Sequence, residues 1–327
     1  MYNFVNYLRT IATILITNSH YSNIWPIDDL AAGGLLGNIL FFAASGFCLF
    51  NIKDNFLKWY LRHIGKIYPV MTVFTLFAVL MGYYPLSNAK DAVRLFLYPT
   101  NYMFLVWLML CYIVFYVVAW LSKKHDKTTE ISLVVVLVAW VLIYFIFTDK
   151  SVYHIDNVDR PFILLLYFSS MLIGALFKKY ADKFKKIKIV NVVLLFISLM
   201  VYFGSKIAFS KIQAIAFWQI LNQLSILIVL YFMLALFIGL EDLLKVIPSW
   251  LNKFAKFVAG ITLHIYLVQF VIIRAFEGVV FPLNFIVTTA MIFVVASALY
   301  FAEYFASKGI SHLINKARGK NNAKSDD

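Results

Sequence analysis

The chain has 327 residues, of which 63% are hydrophobic and 18% aromatic but only 14% charged, and its mean hydropathy is +0.83. A water-soluble fold of this length must cover itself with polar side chains, so the composition excludes one and implies an integral membrane protein. The formal net charge of +13 would suggest nucleic acid in a soluble protein; here it reflects the collection of Lys and Arg in cytoplasmic loops and calls for no nucleic-acid partner.

Apolar runs long enough to cross about 30 Å at 1.5 Å per residue recur ten times. They cover residues 4–22, 33–51, 67–84, 102–121, 131–148, 161–177, 189–205, 214–240, 257–276 and 285–306. With Met1 inside, the inner loops hold 21 Lys and Arg and the outer loops 6, which orients the chain with both termini in the cytoplasm. The expected fold is all-α: a polytopic bundle of about ten transmembrane helices over residues 1–307, followed by a basic, disordered cytoplasmic tail over 308–327. The eighth run is long enough to tilt or break near Asn222 and Gln223. Cys48 and Cys111 lie inside apolar runs, so neither a disulfide nor a metal site is expected. The N-terminus lacks a basic leader and a small-residue cleavage site and reads as a retained helix.

The first run, "LRTIATILITNSHY", carries Arg9 and His20 eleven positions apart. On a continuous helix that spacing puts both on one face to within about 20° and separates them by about 16.5 Å in depth. A charged group in hydrocarbon costs several kcal/mol unless it faces a polar interior. Either this face lines a wet cavity, or Arg9 snorkels to the inner interface while His20 sits at the outer headgroups.

The second run, "GGLLGNILFFAASGFCLF", is rich in small residues that let helices approach closely, and Ser45 within it has no acid and base at a spacing that would make it a nucleophile. Next, Lys53, Lys58, Arg62, His63 and Lys66 cluster on the inner side before Pro69. They obey the positive-inside rule or form a rim for a polyanionic donor.

In the outer loop, His154 and Asp159 stand five apart in "HIDNVD", a spacing some acyltransferases use, but they lie on the wrong side for a cytoplasmic donor and are discounted. The ninth run, "GITLHIYLVQFVIIRAFEG", places His264, Gln269 and Arg274 at membrane depth, and Glu303 follows in the tenth. These are candidates to line the same cavity as the first helix or to pair locally. No GxGxxG, P-loop or HExxH occurs.

Taken in order, "RTIATILITNSH", "LFFAASGFCL", "WYLRHIGKIYP", "FSSMLIGALFKKY" and "GITLHIYLVQ" resemble the membrane-bound acyltransferase family 3 over residues 8 to about 270. The resemblance implies a multi-pass protein of the bacterial cell membrane that moves an acyl group, by default acetyl, from cytoplasmic acetyl-CoA to a hydroxyl of a cell-surface or exported polysaccharide or its lipid-linked precursor. It also implies that His20 is catalytic, as base or transient acyl acceptor, that Arg9 helps hold the donor, and that Arg62, His63, Lys66 and Ser45 belong to the donor site. His264, Gln269 and Arg274 would serve the substrate.

The chain departs from the family pattern at three places. His63 and Lys66 stand where arginines are common, which removes bidentate phosphate contacts. Gln269 stands where the family has a histidine; a glutamine can bind or orient but cannot act as a base. Met103 and Phe104 replace a tryptophan-phenylalanine pair. The alternative from another class is an exporter of a polysaccharide or lipid-linked sugar without acyl transfer; a third reading is an acyltransferase for a small molecule.

Overall fold

The computed structural model describes residues 2–157 and 161–323, with only the backbone described at 100 and 310–323. Every regular element among them is helical, and the protein is an all-α polytopic membrane protein. In chain order the helices are α1 Asn3–Asn18, α2 Gly34–Leu49, α3 Phe56–Ile64, α4 Tyr68–Leu80, α5 Ala89–Ala92, α6 Met103–Leu121, α7 Thr128–Phe147, α8 Ile163–Lys179, α9 Ile189–Lys211, α10 Ile220–Gly239, α11 Glu241–Val246, α12 Ser249–Phe276 and α13 Leu283–Ala323. Among the described residues eight helical spans are long and apolar enough to cross a membrane, two of them joining consecutive elements (Asp28–Leu49, which ends in α2, and Phe56–Leu80, which runs through α3 and α4); α1, with 16 residues, and α8, with 17, are shorter.

The helices fall into two populations by what their side chains meet. In α2, α6, α10 and α12 most of the apolar stretch is buried against protein, whereas α4, α7, α9 and α13 turn theirs outward. Val134, Val138 and Leu142 on α7, and Val193, Phe196 and Met200 on α9, are all exposed. An apolar band of that extent is stable only against lipid tails.

The centre is built on close backbone approach. A Cβ added at Gly46 of α2 would overlap the Met171 carbonyl of α8, and one at Gly174 of α8 would overlap the Ala43 carbonyl of α2. A Cβ at Gly37 would strike the Ala12 carbonyl and Ile16 of α1, at 2.7 Å each. Lipid offers no hydrophobic drive for one helix to prefer another, so intimate van der Waals contact at small residues supplies it. Helix α2 is thereby clamped between α1 and α8.

A second seam joins α1 to α12 through hydroxyls at positions 10, 13 and 17, which share a helix face. Thr10 donates to the Ala255 carbonyl (3.1 Å), the Thr13 and Thr262 hydroxyls lie 3.0 Å apart, and Thr17 donates to Gln269 Oε1 (3.0 Å). Such interhelical bonds contribute on the order of 1 kcal/mol each.

Three local features were not legible in the apolar runs. The stretch 51–66 contains the amphipathic helix α3, capped by Asn55, whose Oδ1 accepts from the Lys58 amide (3.0 Å). Its Phe56, Leu57 and Leu61 remain exposed beside Lys58 and Arg62, the composition of an interfacial helix. The eighth run does break, but as a tight helical turn over Gln213–Trp218 ahead of Asn222 and Gln223. Gln219 explains the break: its Oε1 accepts from the His154 and Ile155 amides, and its Nε2 donates to the Val152 carbonyl, binding the outer loop to the start of α10. Helix α13 carries its backbone to Ala323, into the 308–327 segment; residues 324–327 lie outside the described residues.

Gly46→Ala and Gly174→Ala are each expected to lower stability by about 1–3 kcal/mol, the usual cost of overpacking. Gly204→Ala, whose Cβ meets open space in α9, should leave it unchanged or slightly raised. Thermal unfolding of the purified protein reads this, and equal stability of all three variants would remove the α2–α8 crossing as a constraint.

Candidate active site

Helix α1 ends at Asn18, two residues before His20, because Asn18 itself turns the chain. Its Nδ2 donates to the Leu30 and Ala32 carbonyls (2.8 and 3.0 Å), and its Oδ1 accepts from Trp25 Nε1 (2.9 Å). His20 sits in a tighter turn, its amide bonded to the Thr17 carbonyl (3.1 Å). Beyond this turn His20 lines a different cavity from Arg9.

Two cavities, called inner and outer after the sides expected from the sequence, hold most of the candidates; the inner, about 470 Å³, is lined by Arg9, Thr13 and Thr17 of α1, Ser45 of α2, His63 and Lys66 at the end of α3, and Tyr112 of α6. His264 and Gln269 of α12 and Glu303 of α13 complete its polar wall. The outer cavity, about 500 Å³, is lined by His20 with Asn38, Asn101, Asp156, Tyr266 and Phe270. Ile16, Phe104 and Tyr266 line both, so the two cavities adjoin at these three residues. The Phe104 and Tyr266 rings lie 5.4 Å apart there.

Arg9 is half-buried, and its guanidinium makes no hydrogen bond or ion pair to any described side chain. It lies over the Phe41 ring at 5.5 Å, a contact that stabilises a cation without neutralising it. A desolvated, unpaired cation lining a cavity is a site for an anionic ligand.

The remaining donor-side candidates separate. His63 and Lys66 line the inner cavity, His63 with Nδ1 2.6 Å from the Trp59 carbonyl. Ser45 lines it too, its hydroxyl donating to the Phe41 carbonyl (2.9 Å). Arg62 does not line it; it is exposed and ion-paired with Asp54, which also takes Lys58 at 3.3 Å.

On α12, His264 is 3% exposed and its Nε2 lies 2.9 Å from Glu303 Oε2. A neutral imidazole in that contact donates from Nε2, which leaves Nδ1 as the bare nitrogen. Nδ1 has no hydrogen-bond partner among the described residues, and neither does Nε2 of the fully buried Gln269. Two unsatisfied buried polar atoms on residues of one cavity wall are expected to be satisfied by what the cavity holds. Arg274 is exposed and lines neither cavity.

His154 is held by the outer loop through Nε2, 2.7 Å from the Asp149 carbonyl, and Asp159 lies outside the described residues. No group of three metal-ligating side chains occurs among the described residues. The Glu303 contact and the Asn18 turn were missed in the sequence. Asn18 carried a usable signal, an Asn beside Ser19 at the end of an apolar run; Glu303 lies 39 positions from His264 and carried none.

These features define a polytopic membrane protein whose polar chemistry is gathered in two back-to-back cavities, the inner one cationic. The chain belongs to acyltransferase family 3: the family model, described as an acyltransferase domain, matches residues 2–303, nearly the whole chain. No curated protein and no solved structure is detectably similar to it.

Because nothing neutralises it, Arg9 is a net cost to the fold. Arg9→Met should keep or raise thermal stability, by about 1–3 kcal/mol, while emptying the cavity of its cation. A clear drop in unfolding temperature would mean that the guanidinium has a structural partner.

Proposed function

We propose that this acyltransferase moves an acetyl group from cytoplasmic acetyl-CoA to a hydroxyl of a cell-surface or exported polysaccharide, or its lipid-linked precursor, in a bacterial cell membrane. The observation that carries the reading is the pair of adjoining cavities: an inner one with the unpaired Arg9, and an outer one with His20, sharing Ile16, Phe104 and Tyr266 in their walls.

The donor site follows from charge. Arg9, His63 and Lys66 face an anionic, thioester-bearing ligand entering from the lysine-rich side, with Ser45 and Tyr112 along its path. The acyl end then lies toward Ile16, Phe104 and Tyr266. The outer cavity has the make-up of a carbohydrate site: the Phe270 ring for apolar sugar faces, and Asn38, Asn101 and Asp156 for hydroxyls.

His20 is half-buried with its ring 4.5 Å from that of Phe270, on the acceptor's side of the wall. We assign it the role of general base: it takes the proton of the acceptor hydroxyl as that oxygen attacks the thioester carbonyl, and the thiolate leaves into the inner cavity. The Gln269 amide, with Nε2 unpartnered and Oε1 held by Thr17, is placed to donate to the carbonyl oxygen as charge develops there. His264 and Glu303 set the polarity of the donor side.

His20→Ala should reduce acetylation of the isolated polysaccharide by about 10²–10⁴-fold. Its affinity for CoA should change little, since His20 does not line the inner cavity. Normal acetylation by a stably expressed variant would end the catalytic assignment. Export of an unacetylated polymer that requires the protein and no CoA would favour the exporter instead.

A further inference from the structure

The inner cavity has a neighbour that the acyl-transfer reading does not use. A third cavity of about 390 Å³ is lined by Lys253, Lys256 and Phe257, and it shares Arg9, Gly260 and Tyr300 with the inner one. These three residues come from three helices: Arg9 from α1, Gly260 from α12 and Tyr300 from α13. They frame a window over α12, with α1 on one side and α13 on the other.

Gly260 is the floor of that window. It is exposed, and a Cβ added there would meet nothing within 4 Å, so the opening exists because no side chain stands in it. This differs from Gly46 and Gly174, which are small so that backbones can touch. A glycine inside a helix costs roughly 0.5–1 kcal/mol relative to alanine, and close packing does not account for this one.

Charge singles out the same place. Lys253 and Lys256 are exposed and make no ion pair with any described carboxylate, whereas Arg62 and Lys58 share Asp54. Along α12, Lys253, Lys256, Gly260 and His264 recur at spacings of three and four, one face of the helix. That face climbs about 16.5 Å from the first lysine to the histidine. It runs from two free cations, past an open floor, to the buried His264 ring, which meets Tyr300 edge-on at 5.5 Å.

We infer that the acyl donor enters through this window, its phosphate-bearing end held by Lys253 and Lys256 and its thioester arm passing over Gly260 between Arg9 and Tyr300. The inference rests on the acyl-donor reading. It assigns the phosphates to lysines of α12 that belong to none of the five motifs, and it makes Gly260 a determinant of access. Flexible lysines suit this role, since they serve a phosphate as point charges without fixed geometry.

The test is binding of CoA and of pantetheine, which lacks the phosphates, to the full-length purified protein in nanodiscs. Gly260→Ala should bind both within about twofold of wild type. Gly260→Trp should lose both at least tenfold while keeping its unfolding temperature, and Gly260→Leu serves if the tryptophan variant misfolds. Lys253→Glu/Lys256→Glu should lose CoA at least tenfold, more at low salt, and keep pantetheine. Lys123→Glu, another exposed lysine on the inner side, should change neither.

Unchanged CoA binding by the tryptophan and leucine variants overturns the window, and equal loss of pantetheine in the double-lysine variant overturns the phosphate assignment. Running both lipid compositions separates the sources of phosphate. A loss seen in phosphatidylglycerol discs but absent in phosphatidylcholine discs means that the lysines hold headgroups, and that result too overturns the assignment. A wild-type protein that binds no CoA overturns the acyl-transfer reading itself, an outcome distinct from all of these.

Discussion

The bundle depends on α2 touching two helices at once through backbone. Gly37 admits α1 on one side, and on the other Gly46 meets the Met171 backbone of α8 while Gly174 of α8 meets the Ala43 backbone, so the helices approach at small residues. With α1 seated there, its threonines reach α12 at 3.0–3.1 Å, and α12 in turn carries α13. This chain of contacts positions Thr13 and Thr17 on α1 and Thr262 and Gln269 on α12, while His264 is held by Glu303. The "SGF" element thus reads first as geometry: Ser45 is turned back onto the Phe41 carbonyl, and the adjacent Gly46 makes the crossing.

Tight packing of that kind leaves room for cost elsewhere. Arg9 is held half-buried with only an aromatic face beside it, and His264 and Gln269 each keep a buried polar atom without a described partner. Elsewhere in the bundle some buried amides are fully used, although Trp140 Nε1, the Tyr202 hydroxyl and Gln223 Oε1 also lack a described partner. Gln219 makes three bonds, and Asn222 bonds the Tyr202 carbonyl, Ser205 and Tyr153. What sets His264 and Gln269 apart is that their unpartnered atoms belong to residues lining the cavity that holds Arg9, where a ligand can reach them, a distinction that composition alone cannot draw.

What was legible in the sequence follows the range of the forces involved. Apolar runs are local, so the all-α membrane fold and the positions of the long helices could be read directly; the small residues of the second run announced a close helix contact. Arg9, His63, Lys66 and Ser45, widely spaced in the chain, do line one cavity. Arg62 does not, because Asp54, eight positions earlier, folds under α3 and takes it, a contact that depends on the turn between α2 and α3. His20 lines a different cavity from Arg9, beyond the turn in which Asn18 closes α1 with carbonyls twelve and fourteen residues away. Side-chain hydrogen bonds of that span leave no period in a sequence.

The separation of Arg9 and His20 is also the more coherent arrangement for chemistry across a membrane. If both lined one cavity, a donor and an acceptor from opposite sides would need a continuous aqueous path between them, and water would compete for the thioester. In the proposed transfer Ile16, Phe104 and Tyr266, which line both cavities, let each ligand approach from its own side, and the hydroxyl reaches the thioester carbonyl where those side chains turn aside. Position 269 fits the same logic. A histidine on the donor side of the wall would add a second base beside the thioester; a glutamine, tied to Thr17 through Oε1, leaves a donor and no base. In the proposed reaction, proton removal would fall to the acceptor side, where the hydroxyl would arrive, and the donor side would keep groups that bind charge or polarise a carbonyl. His264 is the exception that tests this division, because Glu303 fixes its Nε2 proton and leaves Nδ1 bare at the edge of the donor's path.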